Sequence, residues 1–300
     1  MTQSRRLALA LVIDMALVLG EVAGAFLAHS SGLAATAGHD LADAAAIALA
    51  LVATNLASRP ATATRSYGYH RATILAALAN ATAIVVVGLG VVALSAYRLA
   101  DPVHVAGGTV VVFALAGLAG NGLAAFVLKD RTHDLNLSAV VLHFTGDAAA
   151  ALGVAVAGTV IMLTGRFEAL DPAVALLITA LIAAKAWRLV RASLEVLLES
   201  TPPDLDVVAL TAAISSTEGV SAVHDLHCWS LSSDVRALSA HVVLEGHPSL
   251  EQAQVVGERV KTALGRGFNV AHATLEMECE PCAEDVAEAC AVDPVQRAVS

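Results

Sequence analysis

The sequence predicts an α-helical membrane protein with six transmembrane helices, followed by a small α+β domain in the cytoplasm. Two observations support this fold class. The 300 residues are 57% hydrophobic and 15% charged, with a mean hydropathy of +0.72, whereas soluble domains carry about 25% charged residues. The net charge of −10 is concentrated from residue 199 onward, where 16 Asp/Glu accompany 5 Lys/Arg. This change of composition predicts a domain boundary.

Six apolar segments are long enough to cross a bilayer, which requires about 20 residues. They are residues 7–28, 34–56, 74–98, 107–128, 138–163 and 172–195. The first follows Arg5 and Arg6 and therefore has features of a signal peptide. Its apolar run exceeds the roughly 7–15 residues of a signal peptide, and no clear cleavage site follows. We interpret it as a retained first span.

The distribution of basic residues predicts the orientation of the spans. Lys and Arg precede the first span, follow the second and the fourth, and occur at the end of the sixth. The remaining joints carry little positive charge. By the positive-inside rule, both termini are predicted to be cytoplasmic. Residues 1–198 are thus expected to form a transmembrane domain surrounded by the lipid bilayer.

The pattern of apolar residues changes after Pro202-Pro203. It predicts the order α-β-β-α-β for residues 202–282, which is typical of a small α+β domain. The predicted elements are a helix at 204–216, strands at 220–230 and 235–244, a helix at 249–265 and a strand at 270–278. Ser249 is the expected N-cap of the second helix, and Gly265 or Gly267 is expected to end it.

The part of the chain after residue 199 is acidic and contains every cysteine. Residues 1–198 carry a net charge of +1 and the remainder −11, which argues against a nucleic-acid partner. Residues 283–300 are predicted to be a disordered acidic tail. The cysteines are Cys228, Cys279, Cys282 and Cys290. In a cytosolic domain they stay reduced, so metal ligands or inert thiols are favoured over disulfides.

Two histidine–aspartate pairs with the same spacing lie inside the predicted spans. His39 and Asp43 occur in H-D-L-A-D, and His143 and Asp147 occur in H-F-T-G-D. A charge at the bilayer centre costs about 2.5–3.5 kcal/mol, so such residues indicate function. Residues four apart share a helix face, and two imidazoles with two carboxylates suit a tetrahedral Zn²⁺. We therefore predict one metal transport site shared by the second and fifth spans.

Other interpretations of the polar residues in the spans stay open. Each His–Asp pair could instead cap a helix or join two helices by hydrogen bonds, although the repeated spacing favours a metal site. Four protein ligands leave no position for a catalytic water, so no enzyme activity is predicted.

Asp40 lies about 100° around the helix from His39 and is expected outside the site. Asp14 and Glu21 either line a water-filled path or pair with Asn55, Asn80 or Asn121, and Asp14 could also simply be solvated. Close helix packing is expected at Gly20, Gly24, Gly117, Gly120 and Gly122.

Several motifs along the chain resemble those of the cation diffusion facilitator family, in particular its zinc-transporting branch of CzcD/ZitB type. They are G-H-D-L-A-D (38–43), S-Y-G-Y-H-R (66–71), L-N-L-S-A-V-V-L-H-F-T-G-D (135–147), V-H-D-L-H-C-W-S-L (223–231) and H-A-T-L-E-M-E (272–278). The resemblance extends from the first span to Cys282. It implies six spans and a ferredoxin-like cytoplasmic domain that forms a homodimer.

The resemblance also implies a function. Members exchange a cytoplasmic divalent cation for protons by alternating access, here across a bacterial inner membrane. The transport site of the family matches His39, Asp43, His143 and Asp147. A histidine at the first of these positions implies Zn²⁺ as the substrate, with the preference among Zn²⁺, Cd²⁺ and Co²⁺ left open. No catalytic cofactor is expected.

The resemblance further implies Zn²⁺ as a structural or regulatory ion in the cytoplasmic domain. His224, His241 and Glu278 match one metal site of the family, and His272 with Cys279 or Cys282 matches a second. Strand alternation places His224, Leu226 and Cys228 on one face, and His227 with Trp229 on the other. His224 and His227 are thus not expected to share an ion, and packing is favoured for His227 and Cys228.

The loops between spans depart from the pattern of some relatives. The loop after the second span contains His70 alone, and the loop after the fourth contains only His133. Neither loop is expected to bind metal. A different class of function also fits the cytoplasmic residues. A membrane-anchored metal sensor would bind zinc in that domain without any flux through the spans.

Overall fold

The computed structural model describes residues 3–128, 135–232 and 235–280, with side chains for 15–126, 143–232 and 235–280. Six long helices come first. They are α1 Gln3–Ala28, α2 Ser31–Ala57, α3 Ala72–Ala100, α4 Gly107–Leu128, α5 Leu135–Thr164 and α6 Leu170–Leu197. Every bound lies within four residues of the predicted span. The predicted tail at 283–300 and His133 lie outside the described residues.

Five of these helices are long and apolar enough to cross a membrane. These are α2, α3 and α6 in full, Gly107–Phe126 of α4 and His143–Thr164 of α5. The described side chains of α1 form a shorter apolar stretch, Met15–Ala28. Large apolar side chains face outward on these helices, and Phe26 and Leu163 are more than 70% exposed. Exposed apolar surface of this extent requires lipid around it, and the chain is an integral membrane protein.

Close packing between α4 and its neighbours depends on glycine. A Cβ at Gly24 would lie 2.6 Å from the ring of Phe113, and one at Gly120 would lie 2.7 Å from Leu17. A Cβ at Gly158 of α5 would lie 2.8 Å from Val110. At distances this short, a larger residue would force the neighbouring side chain to move. The prediction of close packing is wrong for Gly20 and Gly122, which face open space.

The start of α2 is fixed by a buried carboxylate of α6. Asp171 is 2% exposed. Its oxygens accept hydrogen bonds from the hydroxyl of Ser30 and from the backbone N–H groups of Ser31 and Gly32. The first N–H groups of a helix have no partner within the helix. Asp171 supplies that partner from a different helix.

The second part of the chain has the predicted order α-β-β-α-β. Its elements are α7 Val207–Ser215, β1 Val220–Ser230, β2 Arg236–Leu244, α8 Leu250–Phe268 and β3 Val270–Glu278. The strands form one sheet in the order β1-β2-β3. β1 pairs antiparallel with β2, and β2 pairs parallel with β3. A parallel pair needs a crossover connection, which α8 provides.

The two faces of this sheet differ in polarity. Along β2, Leu238, Ala240 and Val242 are buried in the core with side chains of α7 and α8. Ser239 and His241 alternate with them and are only half-buried. Strand alternation therefore gives one face to the hydrophobic core and the other to polar side chains.

A β-bulge in β1 changes the predicted alternation. His224 lies opposite His241, and His227 lies opposite Ser239, so three residues of β1 span two of β2. Asp225, within the bulge, has a positive φ of 48°. His224 and His227 consequently lie on the same face, and the prediction of opposite faces is wrong because one extra residue shifts the period.

The prediction for α8 is correct at its N-terminal end and wrong at its C-terminal end. Ser249 is the N-cap and forms a capping box with Gln252, as the S-x-x-Q spacing predicts. The helix does not end at Gly265 or Gly267 but continues to Phe268. Asn269 follows in the left-handed conformation with φ 56°, a conformation that Asn adopts more readily than most residues.

The described residues group into two compact units. The first lies within residues 1–53 and 76–191, and the second within 54–75 and 192–300. Within the second unit, the loop after α2 contacts two other segments. Tyr67 stacks edge-on against His272 of β3 at 5.6 Å, and Arg71 forms an ion pair with Glu199. The domain bounds expected from the sequence, 1–198 and 202–282, stay predictions.

Candidate metal transport site

The side chains of the two pentapeptides converge in the structure. His39 and Asp43 lie one turn apart on α2, and His143 and Asp147 lie one turn apart on α5. The i,i+4 spacing gives each pair one helix face, and these two faces meet. The rings of His39 and His143 are edge-on, with centroids 6.1 Å apart.

Four nitrogen–oxygen distances define the geometry of this site. Nε2 of His39 lies 3.6 Å from Oδ2 of Asp43 and 3.6 Å from Oδ1 of Asp147. Nε2 of His143 lies 3.4 Å from the same Asp43 oxygen and 3.5 Å from Oδ2 of Asp147. Each histidine therefore contacts both carboxylates through the same ring nitrogen.

These distances fit metal ligands better than hydrogen bonds. Protein N–H···O bonds are about 2.7–3.2 Å long, shorter than all four contacts. Zn²⁺ ligands at about 2.0–2.2 Å in a tetrahedron lie about 3.3–3.6 Å from one another. His39, Asp43 and His143 already converge on one point. Asp147 presents a different oxygen to each histidine, and a rotation of its carboxylate would give one oxygen to the ion.

Three buried polar residues lie beside this site, and the sequence-based prediction placed none of them among its ligands. Glu21, Asp40 and Asn121 are 3%, 5% and 1% exposed, and they line one cavity together with His39 and Asp147. Asp40 was expected to lie away from the site. Its carboxylate instead comes within 4.8 Å of ligand atoms of His39 and Asp147. Only the tertiary packing of α1, α2 and α4 brings these residues together, so helix periodicity does not reveal them.

A second polar cluster occupies the open face of the three-stranded sheet. Nε2 of His224 lies 2.8 Å from Oε2 of Glu278, and Nδ1 of His241 lies 2.9 Å from Oε1 of the same carboxylate. The three side chains are close enough to hold a metal ion. The distances within the cluster are those of hydrogen bonds, unlike the distances at the transport site.

The bulge adds Asp225 to this cluster. Oδ1 of Asp225 lies 3.0 Å from Nε2 of His227, and Oδ2 lies 3.6 Å from Nε2 of His241. Asp225 therefore links the two histidines, although strict alternation would separate them. The position of the aspartate between the histidines of V-H-D-L-H could have indicated its place in the cluster. The bulge that orients its side chain was not predictable.

Of the proposed second cytoplasmic set, the structure describes His272 and Cys279, and it does not bring these two together. His272 contacts Tyr67, and Cys279 is exposed. Glu278, which precedes Cys279, follows His272 by six positions along β3. At about 3.3 Å per residue this is roughly 20 Å, so His272 and Cys279 of one chain do not share an ion. Cys282 lies outside the described residues.

Comparison with known families accounts for both parts of the chain. Residues 7–198 match the cation efflux transmembrane domain, and residues 202–280 match the cytoplasmic domain of cation efflux proteins. The chain belongs to the cation efflux, or cation diffusion facilitator, family. This family consists of transporters.

Curated relatives are similar over nearly their whole length. The chain is 34% identical to the zinc transporter ZitB of Escherichia coli over 283 residues, 93% of this chain and 88% of the relative. It is 33% identical to the metal cation efflux system protein CzcD of Cupriavidus metallidurans, over 93% and 87%. It is 30% identical to the cadmium, cobalt and zinc/H⁺-K⁺ antiporter of Bacillus subtilis, over 93% and 92%.

Proposed function

We propose that this protein exports Zn²⁺ from the cytoplasm in exchange for protons, by alternating access at His39, Asp43, His143 and Asp147. The observation that carries the proposal is the set of four nitrogen–oxygen distances of 3.4–3.6 Å between these side chains. Imidazole and carboxylate are the ligands that zinc accepts in such a geometry. Relatives of similar length are named for zinc, cadmium and cobalt.

The same four side chains account for proton exchange. Zn²⁺ binds neutral imidazole and ionised carboxylate, so protons and metal compete for the same atoms. His39 and His143 are suited to carry the protons because an imidazole nitrogen that releases the metal can bind a proton in its place. A site that alternates between the two sides of the membrane then releases zinc where protons are more abundant.

The proposal includes the arrangement of the whole transporter. It has six spans, with α1 as the first, and both termini are cytoplasmic in a bacterial inner membrane. The αββαβ domain is ferredoxin-like and joins two chains into a homodimer. The match of residues 202–280 to the cytoplasmic domain of cation efflux proteins supports this arrangement. The cluster of His224, His241 and Glu278 binds zinc as a structural or regulatory ion.

Replacement of the transport-site carboxylates tests the function. Asp43→Asn and Asp147→Asn keep the size of the side chain but remove the charge that a metal requires. We expect each variant to lose Zn²⁺ uptake into proteoliposomes with an imposed pH gradient, while wild type accumulates zinc. Asp101→Asn is the control, since Asp101 is exposed at the end of α3 and should transport normally.

Two results would contradict this function. Normal uptake by both carboxylate variants would show that the ions do not pass through this site. Zinc binding by wild type without any flux, lost on replacement of His241, would favour the membrane-anchored sensor. In a further flux assay, His39→Asp should change the relative rates for Zn²⁺ and Mn²⁺, because carboxylate oxygens suit Mn²⁺ better than imidazole does.

A further inference from the structure

The two helices of the transport site run in opposite directions, so its four ligands form two layers. Asp43 and His143 are in contact in one layer, and His39 and Asp147 are in contact in the other. One helical turn of about 5.4 Å separates the layers. In the proposed orientation, the layer of Asp43 and His143 is nearer the cytoplasm. Its side chains are 23% and 40% exposed, against 21% and 12% in the deeper layer. An ion that enters from the cytoplasm therefore meets this entry layer first.

Two further potential ligands lie beside the deeper layer. Asp40 is 5% exposed, and its carboxylate lies within 4.8 Å of ligand atoms of His39 and Asp147. Asn121 is 1% exposed, and its Oδ1 makes no hydrogen bond with the residues that the structure describes. All four side chains line one cavity of about 10 Å³, which has room for one particle of the size of a water molecule. One imidazole, two carboxylates and one amide oxygen therefore surround a space that can hold an ion.

Glu21 orients the Asp40 carboxylate and is not itself a ligand. The two side chains are buried and hydrogen-bonded to each other. A hydrogen bond between two carboxyl groups contains one proton, so the pair carries a single negative charge. A hydrogen-bond partner behind a metal ligand fixes the orientation of that ligand. Asp40 and Asp147 then supply the two negative charges that balance Zn²⁺ in a buried place.

Asp147 connects the two layers, because it presents Oδ1 to His39 and Oδ2 to His143. We propose that Zn²⁺ has a second binding position, about one helical turn deeper than the entry layer, and that its ligands are His39, Asp40, Asn121 and Asp147. His39 and Asp147 hold the ion in both positions, so the ion moves between them without losing all of its ligands. The inference rests on the proposed transport function and adds a step to it, in which zinc lies away from the side of entry.

Zinc binding by the full-length protein in detergent tests the second position. The starting variant carries His241→Ala, which removes a ligand of the cytoplasmic cluster, together with Asp43→Asn and His143→Ala, which disable the entry layer. We expect it to retain about one zinc ion per chain, because the deeper ligands remain. Adding Asp40→Asn should weaken this binding at least about tenfold. Adding Asp101→Asn, at the exposed end of α3, should leave it unchanged.

Zinc flux through the single variant Asp40→Asn supplies a second readout. In proteoliposomes we expect the maximal rate of Zn²⁺ uptake to fall at least about tenfold, with KM changed less than about twofold, because the entry layer is intact. Loss of all zinc from the starting variant would overturn the proposal, as would zinc binding that does not depend on Asp40. Uptake by Asp40→Asn at the wild-type rate would also overturn it, and this result decides if the starting variant fails to fold.

The two readouts separate this proposal from the transport function. Zinc binding that depends on Asp40, in a protein whose wild type moves no zinc, would contradict transport and support the second position. Wild-type transport that Asp40→Asn leaves unchanged would support transport and overturn the second position.

Discussion

Cys228 shows how one extra residue in a strand determines the environment of a thiol. After the bulge, Cys228 lies opposite Leu238 on the core face of the sheet and is 5% exposed. Burial raises the pKa of the Cys228 thiol, and the nearby Arg236 opposes this rise only in part. The thiolate is the reactive form. Cys228 is therefore protected from reaction because it is buried and because its raised pKa keeps the thiol protonated. Cys279, in contrast, is exposed.

Alkylation should separate these two cysteines. The folded protein is treated with iodoacetamide at pH 7.5, and each site is quantified by mass spectrometry. We expect Cys279 to be modified at least about tenfold faster than Cys228. In denaturant the two rates should converge. Equal rates in the folded protein would contradict the position of Cys228 in the core.

The sequence predicts the residues of the transport site because their spacing is local. Four residues make one helical turn, so His39 and Asp43 must share a face wherever α2 packs. The contacts of Asp225 could not be predicted in this way, because a bulge is not visible in a pattern of alternating residues. Asn121 was one of three asparagines offered as partners of Glu21, and only the packing of α1 and α4 brings these two residues, 100 positions apart, to the same cavity.

At the scale of elements, one carboxylate of α6 fixes the start of another helix. Asp171 lies in the first turn of α6 and caps α2, with Ser30, Ser31 and Gly32 as donors. Arg98 of α3 donates to the carbonyl of His29 in the same turn. Two further helices, α3 and α6, therefore contact the short connection between α1 and α2. The bounds of these helices were predictable from apolar length, but a cap supplied by another helix was not.

Asp171→Ala should destabilise the helical unit. The substitution leaves buried donors without an acceptor, at a cost of about 1–3 kcal/mol for each. In detergent, we expect the monodisperse chromatographic peak of this variant to disappear at a lower temperature than that of wild type. Asp171→Asn retains an oxygen acceptor, so its temperature should fall less. Asp101→Ala, at the exposed end of α3, serves as the control, and an equal loss in that variant would refute the capping role.

At the scale of the whole molecule, each of the two units contains one histidine–carboxylate cluster, and the clusters differ in spacing. The transport-site contacts of 3.4–3.6 Å leave room for an ion between the side chains. At the cytoplasmic cluster, the contacts of 2.8 and 2.9 Å join the side chains directly. If zinc binds at this cluster, as proposed, it has to replace these existing hydrogen bonds.

Zinc stoichiometry tests the assignment of the cytoplasmic cluster. Full-length His241→Ala should bind about one zinc ion fewer per chain than wild type, because the cluster loses one of three ligands. His272→Ala is the matched control on the same face of the sheet, since His272 contacts Tyr67 instead of the cluster. Metal content is measured by atomic absorption after dialysis. Loss of zinc in the His272 variant, with none in His241→Ala, would reverse the assignment.

The parallel pairing of β3 with β2 also determines when the cytoplasmic cluster can exist during synthesis. His224 and His241 lie on neighbouring strands that pair directly, but Glu278 arrives only after α8 has crossed over the sheet. Glu278 follows His241 by 37 residues, and a ribosome adding about 5–20 residues per second needs roughly 2–7 s for them. All of the membrane helices precede these residues. A nascent chain thus cannot capture zinc at this cluster until its spans have been translated.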